Sequence, residues 1–594
     1  MKKIIKTELT YCLYAVVSGF ILASGVTLYV AVRTGSNIFA IQSAGEVRTW
    51  LVLALGVLFS SLLFCIFKLR KTVYRCAVPL SIFCFALLTL WKLYSQHPYY
   101  YVMMMIMVIV STFSFKEIFH DRKIPKLQGT ALYAVILAMT VLMTSIVTAG
   151  GIVRMYSFNS STFDYGLFAQ MYEYMATDFT QNTTLERNVL MSHFAVHFSP
   201  AYYLLLPFYM IFRRPEFLLA AQAAVCFSGV IPVVLLCKRQ RFNGLLTIII
   251  SGVFLCYPAF TGGCFYDFHE NFFLVPFILW LLYFLEKNST PGTVVFGLLL
   301  LSVKEDAGIY VIFIGLYALF NKKIKYSCSV PLLLIGAGGF LAVTSLINAA
   351  GEGIKVSRYK NYLYGGQDSL TDVILNVLKN PTFFLNSILN EEKLLFILQM
   401  FLPLLFIPMK TRKISDWFLI APLVLINLAS DYKYQANISY QYIFGTGALL
   451  IFLFVKNLRY SKTKTKAAAA AFMAAIICLV GNSMMKFRYI DSIKSDPEYY
   501  SAAREVLAEI PRDKVIYANT YLTPFLFDCK EVYMYPFNYY ENELLTDDYA
   551  DYYVLDSRTS ETKEFDRLTE EIKSIGYEEV INDSFVVVLK KKGS

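Results

Sequence analysis

Four short polar clusters interrupt an otherwise apolar chain, and they hold the residues best suited to chemistry. The first runs from Phe163 to Gln170 and carries Asp164. The second, His193 to Pro200, carries His193 and His197. The third, Phe265 to Asn271, carries Asp267, His269 and Glu270, and the fourth is Lys304-Glu305-Asp306. Of the five histidines in the chain, three fall in these clusters. A carboxylate beside histidines suits a general base that takes a proton from a hydroxyl. Further carboxylates could orient that base or help to hold a divalent cation. Cationic groups such as Lys304, Arg358 or Arg154 would stabilise a departing phosphate. A base and a phosphate clamp in a membrane protein suit transfer of a sugar from a lipid-phosphate donor.

Each cluster also has a plainer reading. Asp164 could cap a helix that starts near Tyr165. His193 and His197 are four apart and share one helical face, but two histidines alone are a weak metal signal. Asp267, His269 and Glu270 could solvate a loop. Lys304-Glu305-Asp306 is harder to dismiss, because three charges between short apolar blocks are costly at membrane depth and usually functional there. The recurrence of all four clusters on one face favours a site. A divalent cation stays open, with Asp164, His193, His197, Asp267 and His269 as candidate ligands.

These residues must be positioned by membrane helices. The chain has 594 residues, 57% hydrophobic and 16% charged, with a mean hydropathy of +0.52. Soluble proteins carry roughly a quarter charged residues, so a soluble multidomain enzyme is excluded. About sixteen apolar blocks stand out, and spanning segments of this kind are helices because lipid offers the backbone no partners. The expected architecture is mostly α: a polytopic bundle of about 15 helices with a small α/β domain at the C-terminus.

Residues 1–128 read as a four-helix extension. Its basic linkers, around Lys68 to Arg75 and Lys116 to Lys126, fall on alternate turns, which places the N-terminus in the cytoplasm. The turns near Asn37 and His97 are poor in charge. The first block, about Leu9 to Val32, is long enough to stay as an anchor. Residues 129–486 form the membrane core, in which 151–200 is a polar outer-surface stretch with one or two helices lying flat. Basic clusters at Arg213-Arg214 and Lys238 to Arg241 cannot both be cytoplasmic if both adjoining blocks span. Later basic turns, at Lys322 to Lys325, Lys410 to Lys413 and Lys456 to Lys466, put Arg239 inside. The 13-residue block 201–213 therefore does not cross fully. Blocks 293–303 and 309–320 read as half helices around Lys304-Glu305-Asp306, since eleven residues rise only about 16 Å.

From residue 487 onward 22 acidic side chains face 13 basic ones, in a chain whose net charge is +11. A basic membrane part thus precedes an acidic, water-exposed tail. Alternating apolar runs at Val515-Ile516-Tyr517, Val532 to Tyr535, Tyr552 to Leu555 and Phe585 to Leu589 predict strands, with helices near 499–510 and 562–575. No basic patch with interleaved aromatics argues for nucleic acid. The eleven cysteines mostly sit in apolar blocks and show no zinc spacing; pairing of Cys264 with Cys529 is a minor reading.

The order Phe163-Asp164-Tyr165-Gly166-Leu167-Phe168-Ala169-Gln170, then His197-Phe198-Ser199-Pro200, Gln222, Cys256-Tyr257-Pro258, Phe265 to Asn271 and Lys304-Glu305-Asp306 resembles a membrane family, the domain of unknown function 2079. The resemblance runs over about 130–590 and includes the tail pattern Val515 to Asn519, then Tyr535-Pro536. That family looks like a branch of the GT-C membrane glycosyltransferases. The resemblance implies a plasma-membrane transferase that uses a polyprenyl-phosphate sugar donor, amid membrane lipid, and a cell-envelope glycan or protein acceptor. It implies that Asp164, in the first outer loop, is the base, and that Asp267 is a second outer-loop acid; it leaves metal use open. His193, His197, Asp267, His269 and Glu270 would line the site, Glu305 and Asp306 would support it, and Lys304 and Arg358 would meet the phosphate. Two rivals remain on sequence grounds: a transporter or lipid-linked-sugar flippase built on broken helices, and a non-catalytic surface scaffold.

Overall fold

Helix breaks, more than helices, decide where polar groups can gather in this chain. The computed structural model describes residues 2–33, 48–69, 73–91, 98–115, 128–349, 356–537, 546–559, 561–582 and 584–593. The turns at Asn37 and His97, and most of the basic linkers at 70–72 and 116–127, lie outside the described residues. Among the described residues, eight helices are long and apolar enough to cross a membrane, including Thr130–Tyr156, Pro215–Arg239, Gly244–Phe265 and Tyr326–Ala349. Thr290–Leu301 and Ala307–Phe320 are shorter apolar helices, and they meet at the turn holding Lys304-Glu305-Asp306 as the half-helix reading expects.

The breaks have local causes. The helix Gly244–Leu255 starts on an Asn243 side chain that accepts from the Leu246 N–H. Pro258, which has no N–H to give, restarts the segment as Pro258–Phe265. Gly262 lets that piece touch the 438–444 loop, because a Cβ there would stand 2.4 Å from the Ile438 carbonyl oxygen. The block 201–213 forms only a 3-10 turn, Pro200–Leu204, and a four-residue helix, Leu206–Tyr209. It is too short to cross, and it leaves Phe208, Ile211 and Phe212 exposed. Residues 370–388 hold two helices that no apolar block of the sequence marks: Leu370–Lys379, capped by Ser369, and Pro381–Ile388, capped by Asn380. Both are amphipathic and leave Ile374, Leu378 and Leu385 exposed.

The basic turns sort to two ends of the bundle. Arg239 donates to the Glu286 carbonyl, Asn288 holds the backbone at Lys323 and Lys325, and Lys413 donates to Asn321 at 3.1 Å. Lys456 joins them through Asp416 at 2.6 Å. Arg213 instead pairs with Glu173, at the end that carries the 157–200 stretch. This separation is what the charge argument over 201–213 requires. The 157–200 stretch itself holds one regular helix, Leu167–Asp178, and a small hairpin, β1 (Asn182–Thr183) with β2 (Met191–Ser192).

The tail begins with the helix Pro497–Glu509 and forms a five-stranded sheet. Its strands are β3 (Val515–Ala518), β4 (Glu531–Met534), β5 (Tyr552–Asp556), β6 (Tyr577–Ile581) and β7 (Val586–Lys591), in the order β4-β3-β5-β7-β6. The first three strands pair in parallel; β7 runs antiparallel to β5 and β6. Strand periodicity splits the sheet into two buried faces. Tyr517, Tyr553, Leu555, Val587 and Leu589 pack with Ile572 of the helix Thr562–Ser574. Ile516, Ala518, Val532, Val554, Val586 and Val588 join the core of the membrane part. Each large side chain so buried contributes about 1.5–3 kcal/mol, so the tail is welded to the membrane part by its sheet.

Candidate active site

Asp164 sits in a wide, π-helical turn, Thr162–Gly166, in which the N–H groups of Tyr165 and Gly166 both reach the Ser161 carbonyl at 3.1 Å. Such turns put an extra residue into a helix start and redirect its side chains. Here the Tyr266 hydroxyl donates to Asp164 Oδ2 at 2.7 Å. Burial pushes the Asp164 carboxyl above the usual aspartate range, against the pull of His269 and Tyr266.

The histidines are each matched with a carboxylate. His193 Nδ1 lies 2.6 Å from Glu186 Oε2. His197 Nδ1 lies 2.8 Å from Glu305 Oε1. His269 Nδ1 lies 2.7 Å from Glu270 Oε2, to which the Tyr202 hydroxyl also donates at 2.5 Å. The rings of His193 and His197 stand 5.7 Å apart. Burial pushes the Glu270 carboxyl up, but His269 and Lys304 outweigh it and hold it well below the usual range.

Two cavities meet at this end of the bundle. A polar cavity of about 230 Å³ is lined by Asp164, Glu186, His193, His197, His269, Tyr432 and Tyr442, among others. An apolar groove of about 500 Å³ runs along Ile309, Phe340, Ile347, Val373, Leu378 and Phe384. Arg358 lines both. Its guanidinium sits over the rings of Tyr432 and Tyr442, at 5.5 and 5.2 Å, and donates to Gln435 at 3.4 Å. The pair His197–Glu305 bridges the same boundary, because His197 lines the polar cavity while Glu305 and Asp306 line the groove.

Several expectations change. Asp267 is buried and ion-paired with Arg154, also accepts from the Ser161 N–H at 3.4 Å, and does not line the polar cavity. Gln222 fixes this loop by donating to the Asp267 carbonyl and accepting from the His269 N–H. Lys304 is buried 2.8 Å from Glu270 Oε1 and lines neither cavity, so it neutralises that carboxylate and does not reach a ligand there. Its partners won because a buried cation without an anion is far more costly than an exposed one. Among the described residues no three His, Cys, Asp or Glu side chains come together as a metal site. Asp164, His193, His197, Asp267 and His269 each bond a separate partner through one polar atom, Nδ1 in the three histidines. Cys264 and Cys529 are both free thiols. The sequence reading missed Glu186, which lies outside the four clusters, and Tyr266, a hydroxyl inside one of them.

An ArnT structure, from Cupriavidus metallidurans bound to undecaprenyl phosphate, is similar to this chain at 11% identity and a TM-score of 0.46, over 76% of this chain and 98% of that one. No curated protein matches. The model of a family described as "Predicted membrane protein (DUF2079)" matches residues 154–588, which span every residue of the two cavities, and the chain belongs to that family.

Proposed function

We propose that the chain is an inverting membrane glycosyltransferase that moves a sugar from a polyprenyl-phosphate donor to a hydroxyl of a cell-envelope glycan or protein. The observation that carries this reading is Arg358, which lines both a long apolar groove and a polar cavity containing a carboxylate. A lipid phosphate needs that pairing: alkyl surface for its chain and a fixed cation for its head. The isoprenoid lies along Ile309, Phe340 and Leu378, and its phosphate meets the Arg358 guanidinium. Asp164 takes the proton from the acceptor hydroxyl. The acceptor oxygen then bonds to the anomeric carbon from the face opposite the phosphate, and the carbon–oxygen bond to phosphate breaks. The phosphate leaves with a further negative charge, which Arg358 stabilises.

The remaining groups have supporting roles. Tyr266 aims the Asp164 carboxylate; Lys304 neutralises Glu270, which in turn holds His269 at the cavity wall. Asp267 anchors its loop to Arg154. The basic end of the bundle faces the cytoplasm, so the site and the C-terminal domain lie outside the plasma membrane. The test is transfer in proteoliposomes from a radiolabelled polyprenyl-phosphate hexose. Transfer that needs Asp164 supports the reading. Transfer undiminished in Asp164→Asn, or movement of intact donor across the bilayer without bond cleavage, overturns it.

A further inference from the structure

We infer that the C-terminal domain is a working part of the active site: the turn Thr520–Thr523 is the template that holds Asp164 over the polar cavity. This rests on Asp164 being the base, and it adds positioning residues from the far end of the sequence. The two threonines grip the backbone on which Asp164 rides. The Thr162 N–H donates to Thr520 Oγ1 at 3.2 Å, and the Thr162 hydroxyl donates to the Thr520 carbonyl at 3.1 Å. Thr162 Oγ1 also lies 3.0 Å from Thr523 Oγ1. On the other side of Asp164, Gly166 lies so close that a Cβ would stand 2.4 Å from Thr523 Oγ1.

The tail touches the cavity wall elsewhere too, where the Phe163 ring lies 6.3 Å from that of Phe537. The segment that carries Glu186 is read by the edge strand β4 as a pair of side-chain bonds. Asn188 donates to the Met534 carbonyl at 2.9 Å and accepts from the Met534 N–H at 2.7 Å. An acid-rich domain of this size would need no such grip if it were a separate module. A π-helical turn has few internal bonds, so an external template is what fixes its side chains.

The test uses the full chain in nanodiscs with Thr520→Val and Thr523→Val combined, and the Ser/Ser pair as the conservative control. The double valine variant should lose about 10- to 100-fold in kcat with donor KM within about twofold, as expected for a misplaced catalytic group. Amide exchange over Thr162 to Gly166 should speed up about tenfold or more, while the membrane helices keep their protection. The serine pair should restore both. If either kcat or exchange at this turn stays at the wild-type value, the proposal is overturned. Failure of the transferase reading looks different: Asp164→Asn would keep full activity, and the exchange result would then decide by itself whether the tail holds the turn.

Discussion

Two buried clusters of acids and bases lie at opposite ends of the helical bundle, and the one at the site end borders a polar cavity. At the basic end Lys456 bonds Asp416 and the Tyr317 hydroxyl, Tyr317 bonds Glu286, and Asn321 links Tyr317 to Lys413. Thr411 takes the second oxygen of Asp416 at 2.8 Å. At the site end Glu305 Oε2, Asp306 Oδ1 and His193 Nε2 are buried with no hydrogen-bond partner. Glu305 and Asp306 line the apolar groove, and His193 lines the polar cavity. Native proteins rarely leave buried polar atoms unpaired; Asn457 Oδ1 and Arg459 Nε at the basic end are also without partners, so the site end is set apart by the cavities beside its unpaired atoms. Charge at membrane depth is therefore not enough to mark a site; charge with spare bonding capacity beside a cavity is.

The comparison can be broken in stages, from the largest effect down. Asp164→Asn should lower kcat by about 10²–10⁴-fold, the usual contribution of a general base, with no change in thermal stability. At the other end Lys456→Met should do the reverse. It strands the Asp416 carboxylate and should cost about 3–5 kcal/mol in unfolding measurements, whereas Lys456→Met with Asp416→Leu should be near neutral. The surviving folded fraction of either variant should keep normal kcat. If Lys456→Met lowered kcat and left stability alone, the two ends would not differ as described.

Arg358→Met should weaken binding of polyprenyl phosphate, followed by native mass spectrometry, by about 10- to 100-fold, the value of a charge-assisted pair. Lys304→Met should leave that affinity within about twofold in the folded protein, because Lys304 serves Glu270 and lines neither cavity. The pH profile gives a sharper distinction. As the proposed base, Asp164 would act as its carboxylate, and burial raises its pKa. Transfer should therefore rise with pH about tenfold per unit on the acid limb, and that limb should end above the ~4 of an ordinary aspartate.

Much of the site was legible because polar residues are rare in this chain. Asp164, His193, His197, His269 and Glu305 stood out against apolar neighbours and do gather at one end. Their partners were not legible. Arg154 and Asp267 are separated by 113 residues, and nothing local shows that they cancel one another. The same holds for Lys304 and Glu270, which made a structural cation look like a phosphate ligand. Glu186 was hidden in a stretch read as surface helices. The helices at 370–388 were missed because short amphipathic segments lack the long apolar run that marks a span. In the tail, the strands at 515, 531, 552 and 586 were visible from their apolar alternation. β6 was not, because Glu578 and Glu579 are exposed at its sheet edge.

The most direct test of the central claim is a structure of the full chain in nanodiscs with polyprenyl phosphate bound. The phosphate should lie within hydrogen-bond reach of the Arg358 guanidinium, with the isoprenoid along Ile309, Phe340 and Leu378 and the Asp164 carboxylate facing the open side of the head group. A phosphate placed elsewhere, for example beside the separate apolar groove between Tyr133 and Leu235, would contradict the account.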